Sequence, residues 1–189
     1  MEMNMAFRKL FQGERVELVP LTPEDRDLMA KWSADSEYYR NLDDDPVRPM
    51  NAAHYEDWIG GATKQHAEYQ GFAIVAKPEG TRIGFIALFD IKYPNASAMF
   101  AVGIGDPAYR GKGYGREALG LMLNYAFDEL GMYRVGLRVM AYNTNAIKAY
   151  ESIGFVREGS QRGASWREGQ RYDIHFYGIL RDEWIAKRG

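Results

Sequence analysis

The chain has no cysteine among its 189 residues. That excludes disulfides, thiolate metal sites and a cysteine nucleophile. Histidine is nearly as scarce, and His54, His66 and His175 show no ligand spacing, so no metal site is expected. No apolar run reaches membrane-spanning length, and the first residues lack the apolar centre of a signal peptide. Neither charge dominates: 24 Lys and Arg stand against 26 Asp and Glu, so the balance gives no reason to expect nucleic acid as a partner. With 46% hydrophobic residues the chain can bury one full core. The expectation is a cytoplasmic protein, monomer or homodimer, with one domain over 1–189 and no membrane contact.

What is present concentrates at Tyr109-Arg110-Gly111-Lys112-Gly113-Tyr114-Gly115-Arg116. An apolar run at 98–104 precedes it and reads as a strand. A helical pattern from Tyr114 to Leu130 follows, closed by Gly131. Glycine allows close backbone approach, and a helix start offers unpaired N–H groups with partial positive charge. Strand, Gly-rich turn and helix start together make a place for phosphate. Such turns also occur on ordinary surfaces. A nucleoside-triphosphate loop is excluded, because the closing Gly-Lys-Ser/Thr is missing. The dinucleotide fingerprint fails too, since Arg116 stands where its last glycine belongs.

In chain order, residues 1–12 read as a loose leader and Arg15 to Leu21 as a strand near an edge, because of Pro20. Thr22-Pro23-Glu24-Asp25 starts a helix running to about Ala34. Residues 35–50 read as irregular and contain Asp43-Asp44-Asp45-Pro46, either a solvated loop or an acidic lip that attracts a cationic amine. A helix is expected from Ala52 to about Lys64. Strands at 71–76, 82–91 and 98–104 form an antiparallel meander. A strand at 133–140 lies one helix further on, which suggests parallel pairing. Asn143 begins a short helix to Ile153, closed by Gly154. Phe155 to Arg162 and Tyr172 to Leu180 read as a hairpin joined by a polar loop with Gly163, Glu168 and Gly169, and Arg181 to Trp184 as a terminal turn or tail.

Two of these stretches carry a resemblance. The loop at 109–115 resembles the R/Q-x-x-G-x-G/A acyl-CoA loop of the GNAT N-acetyltransferases. Asn143, Ala146, Tyr150, Gly154 and Phe155 are similar to that superfamily's second signature. Asp173 to Leu180 with Asp182-Glu183-Trp184 resembles the branch holding the ribosomal-protein N-terminal acetyltransferases. The likeness spans about 14–184. It implies an α/β fold: a mixed, twisted, largely antiparallel sheet of about seven strands, four flanking helices, and a splay between the fourth and fifth strands. It further implies acetyl-CoA as cosubstrate and an amine as acceptor. Backbone groups from Phe100 through Val102 to Ile104 would pair with the pantetheine arm. The N–H groups of Arg110, Gly111, Lys112, Gly113, Tyr114 and Gly115 would hold the diphosphate, and Asn143 would bind near the pantetheine.

Acetyl transfer to an amine has two proton problems. The amine must be neutral to attack, and the leaving thiolate needs a donor. Tyr150 fills the place where the family often carries that acid; as an aromatic sharing a helical face with Ala146 and Ile153 it also reads as core. The base is not legible. Many relatives carry a glutamate where this chain has Met99, and Asp90 and His175 are the substitutes considered. The missing carboxylate leaves a second expectation open, a non-catalytic acyl-CoA sensor or interaction module on the same fold.

Overall fold

Seven strands join in one sheet; the central strands bury most of their residues, while the edge strand Val156–Arg167 is largely exposed. The structure, a computed structural model, describes residues 9–62 and 68–188. Strand β1 (Val16–Pro20) is followed by α1 (Pro23–Ser33), α2 (Ser36–Leu42) and α3 (Glu56–Ala62). Then come β2 (Gln70–Ala76), β3 (Thr81–Lys92) and β4 (Ser97–Ile104). Helix α4 (Tyr114–Asn124), β5 (Arg134–Met140), α5 (Thr144–Ile153), β6 (Val156–Arg167), β7 (Gln170–Leu180) and α6 (Arg181–Arg188) complete the chain. The spatial order is β1-β2-β3-β4-β5-β7-β6. Only β4 and β5 run parallel; every other pair is antiparallel.

Each face of the sheet has its own apolar layer. Helix α4 covers one face through Ala118, Leu119, Met122 and Leu123, packed with Phe100, Val135, Leu137 and Ile179. Helices α1 to α3 cover the other through Met29, Trp32, Tyr38 and Ile59, packed with Ala73 and Phe85. Burying one large aliphatic side chain stabilises by roughly 1.5–3 kcal/mol, so these layers fix the helices on the sheet. Helix α1 is also tied electrostatically. The buried Asp25 carboxylate accepts the Thr22 N–H at 2.7 Å and pairs with Arg82 of β3 at 2.6 Å.

The sheet, the splay and the meander match the expectation, and Pro20 does lie on an edge strand. Six α-helices are present among the described residues rather than four. Helix α2 occupies part of the stretch read as irregular; Asp35 starts it by accepting the N–H groups of Glu37 and Tyr38. The expected helix from Ala52 divides into a 3-10 turn at Ala52–Tyr55 and α3; its last residues, 63 and 64, lie outside the described part. The terminal stretch is helical because Trp184 is buried and donates its Nε1–H to Asn124 at 3.1 Å. The closing hairpin is longer than expected. Glu168 (φ 49°) and Gly169 (φ 77°) alone form its turn, as two-residue hairpins require, and Gly163 (φ 59°) lies where the β6–β7 register shifts. Of the expected leader, residues 1–8 lie outside the described part, and Phe11 packs on Phe72 and Tyr125.

Candidate active site

The sheet opens at its one parallel junction. Strands β4 and β5 pair only over Ser97–Met99 and Arg134–Gly136. Beyond Met99, β4 stays bonded to β3 as far as Ile104, and β5 stays bonded to β7 as far as Met140. The facing edges of 100–104 and 137–140 therefore diverge. Backbone polar groups on a buried edge need partners, so this slot suits an extended ligand that adds like a strand. Phe100 is buried, while Val102 and Ile104 are half-buried against the α4 layer.

At the end of β4 a short 3-10 turn leads into the glycine loop. Gly111 (φ 70°) and Gly113 (φ 87°) both adopt left-handed backbone, and Gly113 caps α4. A Cβ on Gly111 would meet nothing, so the loop's backbone is open to a ligand there. The first helical N–H with a loop or helix carbonyl partner is that of Glu117, which donates to Gly113 O at 3.1 Å. Tyr114, Gly115 and Arg116 contribute the first-turn donors that no intrahelical carbonyl satisfies. Lys112 and Arg116 are exposed beside them. The residues present thus fit a diphosphate.

Arg110 does not extend toward that position. Its guanidinium donates to the carbonyls of Ile104 and Gly105, pairs with Asp35 at 2.6 Å and lies 5.0 Å from the Tyr38 ring centre. The Arg110 hydrogen bond holds the Asp35 carboxyl below its ordinary range, with α2 N–H groups helping and burial opposing. The arginine that braces the loop is Arg15, overlooked in the sequence. It donates to Lys112 O at 3.0 Å, pairs with Glu117 at 3.1 Å and lies over Tyr114. Burial raises the Glu117 carboxyl, but hydrogen bonds from Arg15 and Val16 outweigh it and leave it lowered.

A cavity of about 590 Å³ passes through the splay and is lined by members of both apolar layers. Tyr150 lines it from α5, edge-on to Phe100 at 5.6 Å and tilted on Phe155 at 6.0 Å. Burial pushes its phenol up to about 12, so the ring oxygen keeps its proton throughout the neutral range. Packing and a proton-donor role are thus compatible in one side chain. Asn143 caps α5 by accepting the Ala146 N–H at 3.2 Å, and its amide donates to Asn41 O at 3.2 Å. Its side chain is engaged within the protein on both sides.

The opposite wall comes from α1, α2, the 3-10 turn and α3: Met29, Tyr38, Tyr39, Tyr55 and Trp58, with Tyr69 just ahead of β2. Asp43 and Asp44 stand at the lip, and Asp44 is paired with Arg138 of β5. Neither substitute base lies in the cavity wall. Asp90 sits exposed at φ 49° and pairs with Lys92, while His175 contacts Ser160 at 2.8 Å and Arg157 at 3.0 Å on the closing hairpin. Burial and the neighbouring Arg157 lower the His175 pKa. His54, by contrast, lines the cavity mouth, and His66 lies outside the described residues. Among the described residues no three His, Asp or Glu side chains gather as metal ligands, and no helix is long and apolar enough to cross a membrane.

Comparison with known proteins supplies an independent line. Residues 15–156 match the family described as "Acetyltransferase (GNAT) domain". An SPbeta prophage-derived uncharacterized N-acetyltransferase of Bacillus subtilis is 29% identical over 94% of this chain and 96% of its own. The spermidine N(1)-acetyltransferase of Vibrio cholerae is 26% identical over 99% of each chain. The crystal structure of spermidine N-acetyltransferase from Vibrio cholerae in complex with CoA and spermine superposes with a TM-score of 0.81, covering 92% of this chain and 99% of that one at 22% identity.

Proposed function

Since the chain belongs to the GNAT acetyltransferase family and is an N-acetyltransferase using acetyl-CoA, we propose that it moves the acetyl group directly to a primary amine while both substrates are bound. The observation that carries this reading is the cavity at the β4–β5 splay, lined by Phe100, Val102 and Tyr150 from the α4–α5 side and by Tyr38, Tyr55 and Trp58 from the α1–α3 side. Two substrates entering from opposite faces meet there, and no covalent enzyme intermediate is needed.

In this reading, backbone groups of Phe100, Val102 and Ile104 hold the pantetheine arm along β4. The N–H groups of Gly111 to Gly115 hold the diphosphate at the α4 N-terminus, where the helix dipole favours negative charge. Bound there, acetyl-CoA supplies an activated acyl group. Arg110 and Asn143 act through their side chains as braces: Arg110 fixes the turn after β4, and Asn143 fixes the start of α5. The amine nitrogen forms a bond to the acyl carbon as the carbon–sulfur bond breaks. Tyr150 holds its proton until the thiolate forms and then delivers it from Oη to sulfur, while the proton that the nitrogen sheds on becoming an amide passes to solvent and solvent restores the phenol. The amine must arrive neutral, which costs less for an α-amino group of pKa ~8 than for an alkylamine of pKa ~10.

The resemblance of Asp173 to Leu180 to the ribosomal-protein branch favours a protein N-terminus as a second acceptor reading; it suits the exposed lip at Asp43. Use of acetyl-CoA fits a cytoplasmic setting. The test is thiol release from acetyl-CoA across an amine panel. Amine-dependent release supports the reading; CoA binding without release for any amine contradicts it.

A further inference from the structure

The register of the sheet fixes the character of the cavity floor. Directly opposed residues share a face. Phe85 opposes Gly103, Ala87 opposes Ala101 and Phe89 opposes Met99. A Cβ on Gly103 would run into the Tyr38 hydroxyl, so this face is the one beneath α2. Ala73 and Gly71 of β2 continue it, opposing Phe85 and Ala87. Across the parallel junction Met99 opposes Gly136, and two residues on the same face carries Arg138. The floor therefore runs apolar over three strands and ends in a cation, which Asp44 neutralises.

The walls repeat the pattern. Trp58 packs edge-on against Tyr69 at 5.2 Å and Phe85 at 5.0 Å. Burial raises the phenols of Tyr38, Tyr55 and Tyr69, so all three stay neutral. The Tyr69 hydroxyl is buried without a hydrogen-bond partner among the described residues. Among the described lining side chains the carboxylates are Asp43 and Asp44, both at the lip, one already paired.

We infer that the acceptor is a small primary amine with a single cationic centre on an apolar, aromatic-sized body, an arylalkylamine in chemical terms, rather than a polyamine. This rests on the acetyltransferase reading above and narrows it. The attacking nitrogen must shed its proton. An arylalkylamine then has no charge left and matches uncharged walls. A linear polyamine keeps further ammonium groups, and each buried without a carboxylate partner carries an uncompensated desolvation penalty. Aromatic faces attract one cation at the entrance, and Asp43 offers one partner, which suffices for a single ammonium before deprotonation. The same chemistry occurs at the N-terminus of a peptide that begins with an aromatic residue.

The experiment compares kcat/KM for 2-phenylethylamine, a short peptide beginning with Phe, and spermidine, using the full chain and acetyl-CoA. The inference expects 2-phenylethylamine to exceed spermidine by about tenfold or more. A peptide faster than the free amine identifies the same chemistry on a chain end and upholds the inference; spermidine equal to or faster than both overturns it. Absence of thiol release with every amine contradicts the acetyltransferase reading instead, so the two failures are distinct. Phe89→Glu places a carboxylate on the floor and is expected to shift the spermidine-to-phenylethylamine ratio toward spermidine by about tenfold. Trp58→Ala is expected to raise KM for 2-phenylethylamine about tenfold with little change in kcat. Thermal melting with and without CoA confirms that both variants fold; folded variants with an unchanged ratio and an unchanged KM overturn the inference.

Discussion

The two faces of the central sheet are organised on different principles. On the α4–α5 face, the site is built from contiguous sequence: a strand end, a 3-10 turn, two left-handed glycines and a helix start follow in order. On the α1–α3 face, the cavity is assembled from segments between Met29 and Met140, and no short stretch contains it. The first kind of site depends on backbone geometry that few residues allow. The second depends on side-chain volume and charge, which many sequences can supply. Donor binding is therefore expected to be sensitive to single backbone positions, and acceptor choice to be tuned by wall and floor residues. Arg110 joins the two faces, since it braces the donor loop and also holds Asp35, the residue that starts α2.

The largest effect belongs where the faces meet. Tyr150→Phe is expected to lower kcat by about 10²–10⁴-fold, the usual share of a general acid, while CoA affinity measured by calorimetry stays within about twofold. Equal losses in both would make Tyr150 a packing residue. The phenol donates only while protonated, and burial raises its pKa to about 12. The kcat profile should accordingly show no alkaline fall from this group below about pH 10.

Next comes a change confined to the donor face. Gly113 has φ 87°, and a Cβ there would lie 3.0 Å from an Arg15 guanidinium nitrogen. Left-handed backbone costs a side-chain-bearing residue about 1–2 kcal/mol, so Gly113→Val is expected to weaken CoA binding by tenfold or more. Acceptor KM, extrapolated to saturating acetyl-CoA, should move less. An equal rise in both would erase the distinction between the faces.

Asp35→Asn tests the link between them. The Asp35 carboxyl has a lowered folded pKa, so its contribution to stability is present above the ordinary carboxylate pKa and is lost as pH falls through the lowered value. The group is partly exposed, and solvent screening limits the loss to about 1 kcal/mol or less at neutral pH. Urea unfolding at pH 7 and in the acid range below pH 4 should show the gap between wild type and variant narrowing in acid. The smallest effect is expected from His175→Gln. His175 lies on the closing hairpin away from the cavity wall, and kcat/KM should stay within about twofold across pH 6–9; a lost ionisation in that profile would bring the hairpin into the chemistry.

The contrast also explains what was legible in the sequence. Gly111, Gly113 and Gly131 adopt left-handed backbone, and apolar spacing at periods of two and 3.6 marked most elements. The strands, the meander and the two signature stretches followed from these local signals, and the splay from the resemblance that the signatures carry. Side-chain direction did not. The resemblance assigns Arg110 to the diphosphate through its N–H and says nothing of its side chain, which two nearby carbonyls and Asp35, 75 residues away, draw inward. Helix α2 was missed because Ser36–Leu42 is too short for a periodic signal and is held by contacts to Tyr142 and Asn143, about a hundred residues on. The substitute bases failed for the same reason: nothing local tells whether Asp90 or His175 faces the cavity. Asp43-Asp44-Asp45-Pro46 was read as either a solvated loop or an acidic lip; Asp43 and Asp44 line the cavity, and the partner that neutralises Asp44 lies on β5.

The central claim is that the donor lies in the β4–β5 gap with its diphosphate on the α4 N-terminus. A crystal structure of the protein soaked with CoA tests it most directly. The account predicts pantetheine alongside 100–104 and diphosphate oxygens about 3 Å from N–H groups between Gly111 and Gly115. Coenzyme bound on any other surface, with the gap between 100–104 and 137–140 left unfilled, would contradict it.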